Sequence, residues 1–176
     1  MIWPSVALLA FVTLQRLVEL PLARANTSRL LAAGGQEVGA GHYPLIVALH
    51  AVWLGVLWWL APGQPINLPL LALFALVEIG RIWVVQTLGP RWTTRIIVVP
   101  GETLVSRGPY KYLNHPNYAV VVAEIALLPL VFGLWRTAAV FSLLNAALLY
   151  IRIREENRAL SACRVQSAGT PAHPAR

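Results

Sequence analysis

Long apolar runs, each interrupted by a short cluster of basic, polar or turn-forming residues, set the plan of this 176-residue chain. A helix crosses a bilayer core with roughly 20 apolar residues. Runs of that order extend from about Ile2 to Leu22, from Tyr43 to Ala61 and from Pro65 to Leu88. Two further runs, Tyr118 to Trp135 and Thr137 to Ile153, are split only by "FGLWR", which is short enough to demand a tight hairpin. The pattern predicts an all-α integral membrane protein of about five transmembrane helices, with the longest polar segments at Ala23 to His42 and Gly89 to Asn117.

Composition agrees, with 57% hydrophobic and 12% charged residues against about 25% charged in a soluble domain. All seven acids are Glu, so Asp-based metal clusters are excluded. A single cysteine, Cys163, excludes an intramolecular disulfide and a multi-cysteine zinc site. The amino terminus is apolar and lacks the basic lead-in and cleavage site of a secretory signal, so it reads as a retained helix. Residues 1–160 read as one membrane domain and residues 161–176, "QSAGTPAHPAR" included, as a disordered tail. No internal repeat is present.

The net charge of +7 does not mark a nucleic-acid binder, because the basic residues sit between the apolar runs. Outside the spans, every basic residue but Arg136 falls on one face if five spans are counted. By the positive-inside rule that face is cytoplasmic, which puts the amino terminus outside and the carboxyl terminus inside, in a bacterial inner membrane.

Some charges lie within the spans, where each costs about 2.5 to 3.5 kcal/mol and needs a partner or a water-filled cavity. Arg16 and Glu19, and likewise Glu78 and Arg81, are three residues apart and can pair on one helical face. Glu124 has no such neighbour and must reach Arg16, Arg81 or a ligand. His50 reads as a core histidine. The Gly-rich "GGQEVGAGHY" matches no phosphate-binding fingerprint and reads as a connector.

The most informative stretch is "GPYKYLNHPNY", Gly108 to Tyr118. Pro116 suits the first turn of a helix, and Asn114 or His115 suits its cap. Capping leaves His115, Asn117 and Tyr118, with Tyr110 upstream, unexplained. Past the last apolar runs comes "RIREENRAL", where Arg152 and Glu156 share one helical face and Glu155 and Arg158 the adjacent one.

"LVSRGPYKYLNHPNY", a hydrophobic hairpin and then "RIREE" together resemble the carboxyl-terminal signature of the isoprenylcysteine carboxyl methyltransferase family, over roughly residues 88–160. "QRLVEL", "GGQEVGAGHYPLIVALH" and "LGPRWTTRIIVVPG" are similar to a bacterial branch associated with type III polyketide synthases, which methylates hydroxyls of alkylpyrones or alkylresorcinols. The resemblance implies S-adenosylmethionine as cofactor, in a cytoplasmic pocket between the loop before the fourth helix and the end of the fifth. It implies cofactor contacts at Leu104, Val105, Tyr110, His115, Pro116, Asn117, Tyr118, Glu155 and Glu156. Glu102 and Arg95 depart from the family pattern.

The resemblance also implies an acceptor-side role for Arg152, and Glu124 and His42 join it as catalytic candidates, the two being possible general bases alongside Glu37 and Glu78. The expected partner is a lipophilic small molecule arriving from the bilayer. Carboxyl methylation of isoprenylcysteine-like substrates and N-methylation of a lipid amine keep the same cofactor. A membrane sterol-type reductase and a non-enzymatic scaffold or transporter are the more distant alternatives.

Overall fold

The computed structural model describes residues 2–101, 103 and 105–169. Among these residues five helices carry the fold: α1 (Trp3–Ala32), α2 (Tyr43–Leu60), α3 (Leu68–Leu88), α4 (Pro116–Val131) and α5 (Trp135–Gly169). Four of them are long and apolar enough to cross a membrane, while α4 has 16 residues. At 1.5 Å per residue α4 is about 24 Å long, short of a hydrocarbon core of about 30 Å. The expected fourth span is therefore a shorter helix that ends at Val131, its last turn containing Pro129.

Glycine closes the α4–α5 hairpin. Gly133, at φ 71°, lies beyond the end of α4, where the Leu134 N–H donates to the Pro129 carbonyl and the Gly133 N–H to that of Leu130, both at 2.9 Å. This pairing satisfies carbonyls that a helix end leaves open. Gly34, at φ 86°, does the same for α1, with Gly35 N–H donating to Leu30 at 2.9 Å.

Two segments depart from the sequence reading. Helix α1 does not stop near Leu22 but continues through Pro21 to Ala32, so much of the expected Ala23–His42 loop is helix. At the other end α5 runs on to Gly169, into the stretch expected to be a tail, and 170–176 lie outside the described residues. The remaining loops meet in a two-stranded antiparallel sheet, β1 (Gln36–Val38) with β2 (Ile96–Val98), in register Glu37 to Ile97.

The core lies where all five helices converge, around Leu9, Trp53, Phe74, Ile125, Leu128 and Phe141. Large aliphatic side chains such as Leu14, Leu76 and Leu143 face outward, as expected of surfaces solvated by lipid.

Charged residues cross-link the helices within that layer. Glu124, only 2% exposed, accepts from Arg16 Nη2 at 2.6 Å and from Arg81 Nη1 at 3.0 and 3.1 Å. Arg81 also donates to both oxygens of Glu19, its Nε at 2.7 Å. Glu78 is not the partner of Arg81 expected from their spacing. It accepts from Gln15 at 2.8 Å, because Arg81 is taken by carboxylates on other helices.

Candidate functional site

The Gly89–Asn117 segment folds back over the helix ends. It is pinned by α1, whose Asn26 Nδ2 donates to the carbonyls of Gly89 and Trp92 at 3.2 and 2.7 Å, while Arg29 donates to that of Pro90 at 2.9 Å. A turn at Gly108–Lys111 then brings Tyr110 toward the start of α4. Gly108 sits at φ 57° so close to α3 that a Cβ would lie 2.6 Å from Thr87 Oγ1.

Under this cover is a cavity of about 660 Å³, bounded by β2, the Tyr110 turn, the first turn of α4 and the cavity end of α5. Helix α4 opens with Pro116 in its first turn and His115 at the N-cap position, both as expected. The N-cap His115 makes no side-chain cap bond, and its ring instead stacks on Tyr118, with centroids 5.3 Å apart.

Tyr118 is the hub. Its hydroxyl donates to Glu156 Oε2 at 2.5 Å and accepts from Arg152 Nε at 2.9 Å. His115 Nδ1 stands 3.8 Å from the same Glu156 oxygen. Arg152, 7% exposed, spends a second N–H on the carbonyl of Thr94 at 2.8 Å. The one-turn spacing of Arg152 and Glu156 thus puts both on the phenol of a different helix. Burial, reinforced by the negative charge of Glu156, pushes the Tyr110 phenol up to about 12, so at neutral pH it is an uncharged donor.

Of the residues expected at the site, Val105, Tyr110, His115, Asn117, Tyr118, Arg152 and Glu156 line this one cavity. Pro116 is buried in the helix start beside it. Glu155 lies on the neighbouring face and pairs with Arg158 at 3.0 Å, the intrahelical pairing expected of that spacing. Leu104 and Glu102 lie outside the described residues.

Two catalytic candidates are elsewhere. Glu124 is committed to two guanidinium groups, those of Arg16 and Arg81, in the helix core. His42 ends a short 3-10 turn before α2 and packs its ring against Gly39, which is left-handed at φ 65°.

Glu37, a possible general base, and Arg95 meet in an outer wall that the sequence analysis did not assemble. Arg95 lines the cavity and donates to both oxygens of Glu37, at 2.7 and 2.9 Å, with its guanidinium 4.3 Å over the Tyr43 ring. The Tyr43 hydroxyl is 3.1 Å from Thr94 Oγ1, on the residue that accepts from Arg152. The β-branched run Ile96 to Val99, bounded by turn residues, was the available signal for a strand here.

A comparison with known families matches residues 70–162 to the isoprenylcysteine carboxyl methyltransferase (ICMT) family. The chain is also 39% identical over 166 residues to the uncharacterized protein YpbQ of Bacillus subtilis (strain 168), an alignment covering 87% of this chain and 94% of that one. The chain belongs to the ICMT family. No solved structure matches it significantly. ICMT membership and its long apolar helices make it an integral membrane protein of a methyltransferase family that uses S-adenosylmethionine. The ICMT match runs from the start of α3 into α5 and includes Tyr110, His115, Tyr118, Arg152 and Glu156, leaving Glu37 and Tyr43 outside it.

Proposed function

We propose that the cavity binds S-adenosylmethionine and that the protein methylates a lipophilic acceptor, specifically a hydroxyl of an alkylpyrone or alkylresorcinol. The observation that carries this reading is the convergence of Glu156, His115, Tyr118 and Arg152 in one cavity at the helix ends. The volume lies within the range of about 300–1,000 Å³ usual for small-molecule sites. Its donor set also fits the cofactor. Glu156 offers a carboxylate for an ammonium or ribose hydroxyls, and the His115–Tyr118 stack offers aromatic faces for an adenine or a cationic sulfur. No metal is required by this chemistry.

When bound, the cofactor supplies a methyl group on a sulfonium, so the acceptor oxygen gains a carbon bond as a sulfur–carbon bond breaks. Binding and orientation are what the chain contributes. Arg152, positively charged and fixed by Tyr118 and Thr94, is placed to hold the acceptor oxygen as its anion. A hydroxypyrone is acidic enough to arrive ionised, so Arg152 suffices. A resorcinol must release its proton to a base.

In this reading the cavity faces the cytoplasm and the amino terminus lies outside. Arg24, Arg29, Arg91, Arg107, Lys111 and Arg154 lie in or beside the segments that converge at the cavity end. In spheroplasts Cys163 should resist a membrane-impermeant maleimide until the cells are lysed. Labelling of intact spheroplasts would reverse the orientation.

The chemistry is tested by incubating the membrane-reconstituted protein and S-adenosylmethionine with alkylpyrones, alkylresorcinols, prenylcysteines and lipid amines, and weighing the products. A methyl gained by the pyrone or resorcinol supports the proposal. Methylation of only the prenylcysteine or the amine replaces the acceptor and keeps the cofactor.

A further inference from the structure

Arg152 is held along two edges by partners of different origin. Its Nε donates to the Tyr118 hydroxyl at 2.9 Å, and its Nη2 donates to the carbonyl of Thr94 at 2.8 Å. Tyr118 lies in the first turn of α4, so a helix sets its place. Thr94 lies in a bend between the Gly89–Arg91 turn and β2, outside the paired residues of the sheet. A connecting segment of this kind does not by itself hold a carbonyl as firmly as a helix or a ladder does.

Thr94 is tied down by a side chain from another part of the molecule. The hydroxyl of Tyr43, the first residue of α2, stands 3.1 Å from Thr94 Oγ1. Over the Tyr43 ring lies the Arg95 guanidinium, 4.3 Å from the centroid, and Glu37 on β1 accepts from that guanidinium at 2.7 and 2.9 Å. A cation over the ring is attracted to it and draws electron density from it, which makes the phenol the better donor of the two hydroxyls. Contacts therefore run without a gap from Glu37 through Arg95, Tyr43 and Thr94 to Arg152.

Resting on the methyl-transfer reading, we propose that Tyr43 and Thr94 are positioning residues, which set the orientation of the Arg152 guanidinium and act on the acceptor only through it. With Nε and Nη2 engaged, Nη1 is the edge that meets an acceptor oxygen. Its aim depends on where the Thr94 carbonyl stands, and a misplacement of about 1 Å at such a group can cost about a hundredfold in rate. The ICMT match begins at residue 70, so Tyr43 brings to the site a part of the chain outside that match.

The test compares the full chain in nanodiscs with Tyr43→Phe, Thr94→Val and the double variant, each of which removes a hydroxyl with little change of shape. Phenylglyoxal modification, located by peptide mass spectrometry, reads the freedom of Arg152 without any need for turnover, and exposed Arg24 is the internal reference. Each single variant should speed modification of Arg152 by about fivefold relative to Arg24, the effect of losing one ordinary hydrogen bond. Turnover of an alkylresorcinol should fall about tenfold while S-adenosylmethionine affinity stays within about twofold. The double variant should lose no more than either single one, because both hydroxyls serve one bond. Thr94→Ser should recover both readouts, and in an Arg152→Ala background Tyr43→Phe should lower turnover no further. Thermal unfolding identifies which variants keep the fold.

Unchanged modification of Arg152 in the folded variants, or losses that multiply in the double variant, would overturn the positioning. An added loss of turnover on Arg152→Ala would overturn it as well, by making Tyr43 a support of the fold at large. If Arg152 modification speeds as expected but the wild type methylates no acceptor, the methyl-transfer reading falls and Tyr43 remains the residue that holds Arg152.

Discussion

Tyr118 joins two charged residues of opposite sign, and its neighbours should therefore fail in different ways. Glu156→Gln keeps a hydrogen-bond acceptor for the phenol but removes the negative charge, and a charged hydrogen bond is worth about 1.5–3 kcal/mol. We expect cofactor affinity to fall by roughly 10- to 100-fold in calorimetric titration. Arg152→Ala should leave that affinity nearly unchanged and lower turnover by about 10²-fold or more, the usual cost of losing an oxyanion donor. Arg152→Lys should not restore turnover, since one ammonium cannot reproduce a planar fork aimed at both Tyr118 and Thr94. Equal losses of affinity in both variants would refute the division of roles.

The phenol of Tyr110 carries a pH signature. Its folded pKa of about 12 lies above the ordinary value near 10, so folding favours the protonated form. The stabilisation is complete below pH 10 and is lost as pH rises through about 12. Phenolate absorbance of the folded protein should contain a component titrating near 12 that vanishes in Tyr110→Phe and moves to about 10 in the unfolded chain. A folded Tyr110 titrating near 10 would mean that the ring is not enclosed.

Among the elements, the small sheet behaves as a strap joining the α1–α2 connection to the α3–α4 connection. The Glu37–Arg95 pair that reinforces it is partly exposed, so it contributes at most about 1 kcal/mol. Glu37→Gln should accelerate amide exchange at Val38 and Ile97 by no more than about fivefold, without changing protection in the core of α3. A much larger change would make the pair the main support of the sheet.

The strap also shows what could be read from the chain and what could not. The apolar runs were legible because a membrane helix needs length more than periodicity, and α2, α3 and α5 start within a few residues of where those runs begin. The three-residue strands were not, since they pair residues 36–38 with 96–98 and are too short to show alternation. The first apolar run gives out near Leu22, yet the helix continues to Ala32, and a helix among other helices can absorb the proline at position 21. At the site, Tyr110, His115, Tyr118, Arg152 and Glu156 stood out because polar residues at the edge of an apolar run need a reason. Thr94 and Tyr43 carried no such mark, as their contribution comes from tertiary contacts alone. Glu124 was visible as a charge needing a partner, but its commitment to Arg16 and Arg81 could be known only once three helices were in place.

At the scale of the whole molecule, the intramembrane ion network binds α1 and α3 to α4. Glu124→Gln leaves Arg16 and Arg81 short of a counter-charge, and breaking a buried pair in this way typically costs about 3–5 kcal/mol. A loss of that order in detergent-induced unfolding is expected, with the cavity residues unchanged in chemistry. An unaltered transition would show the carboxylate to be dispensable for assembly.

The same network dictates a timetable for synthesis. Arg16 is made first, Arg81 later and Glu124 last, so α1 and α3 enter the membrane before the carboxylate they share has left the ribosome. Helix α4, short and carrying that charge, is a poor insertion substrate by itself and becomes a good one when Arg81 is already waiting beside it. A nascent chain halted just after α4 should therefore integrate that helix, whereas the same chain bearing Arg81→Leu should leave it outside the bilayer.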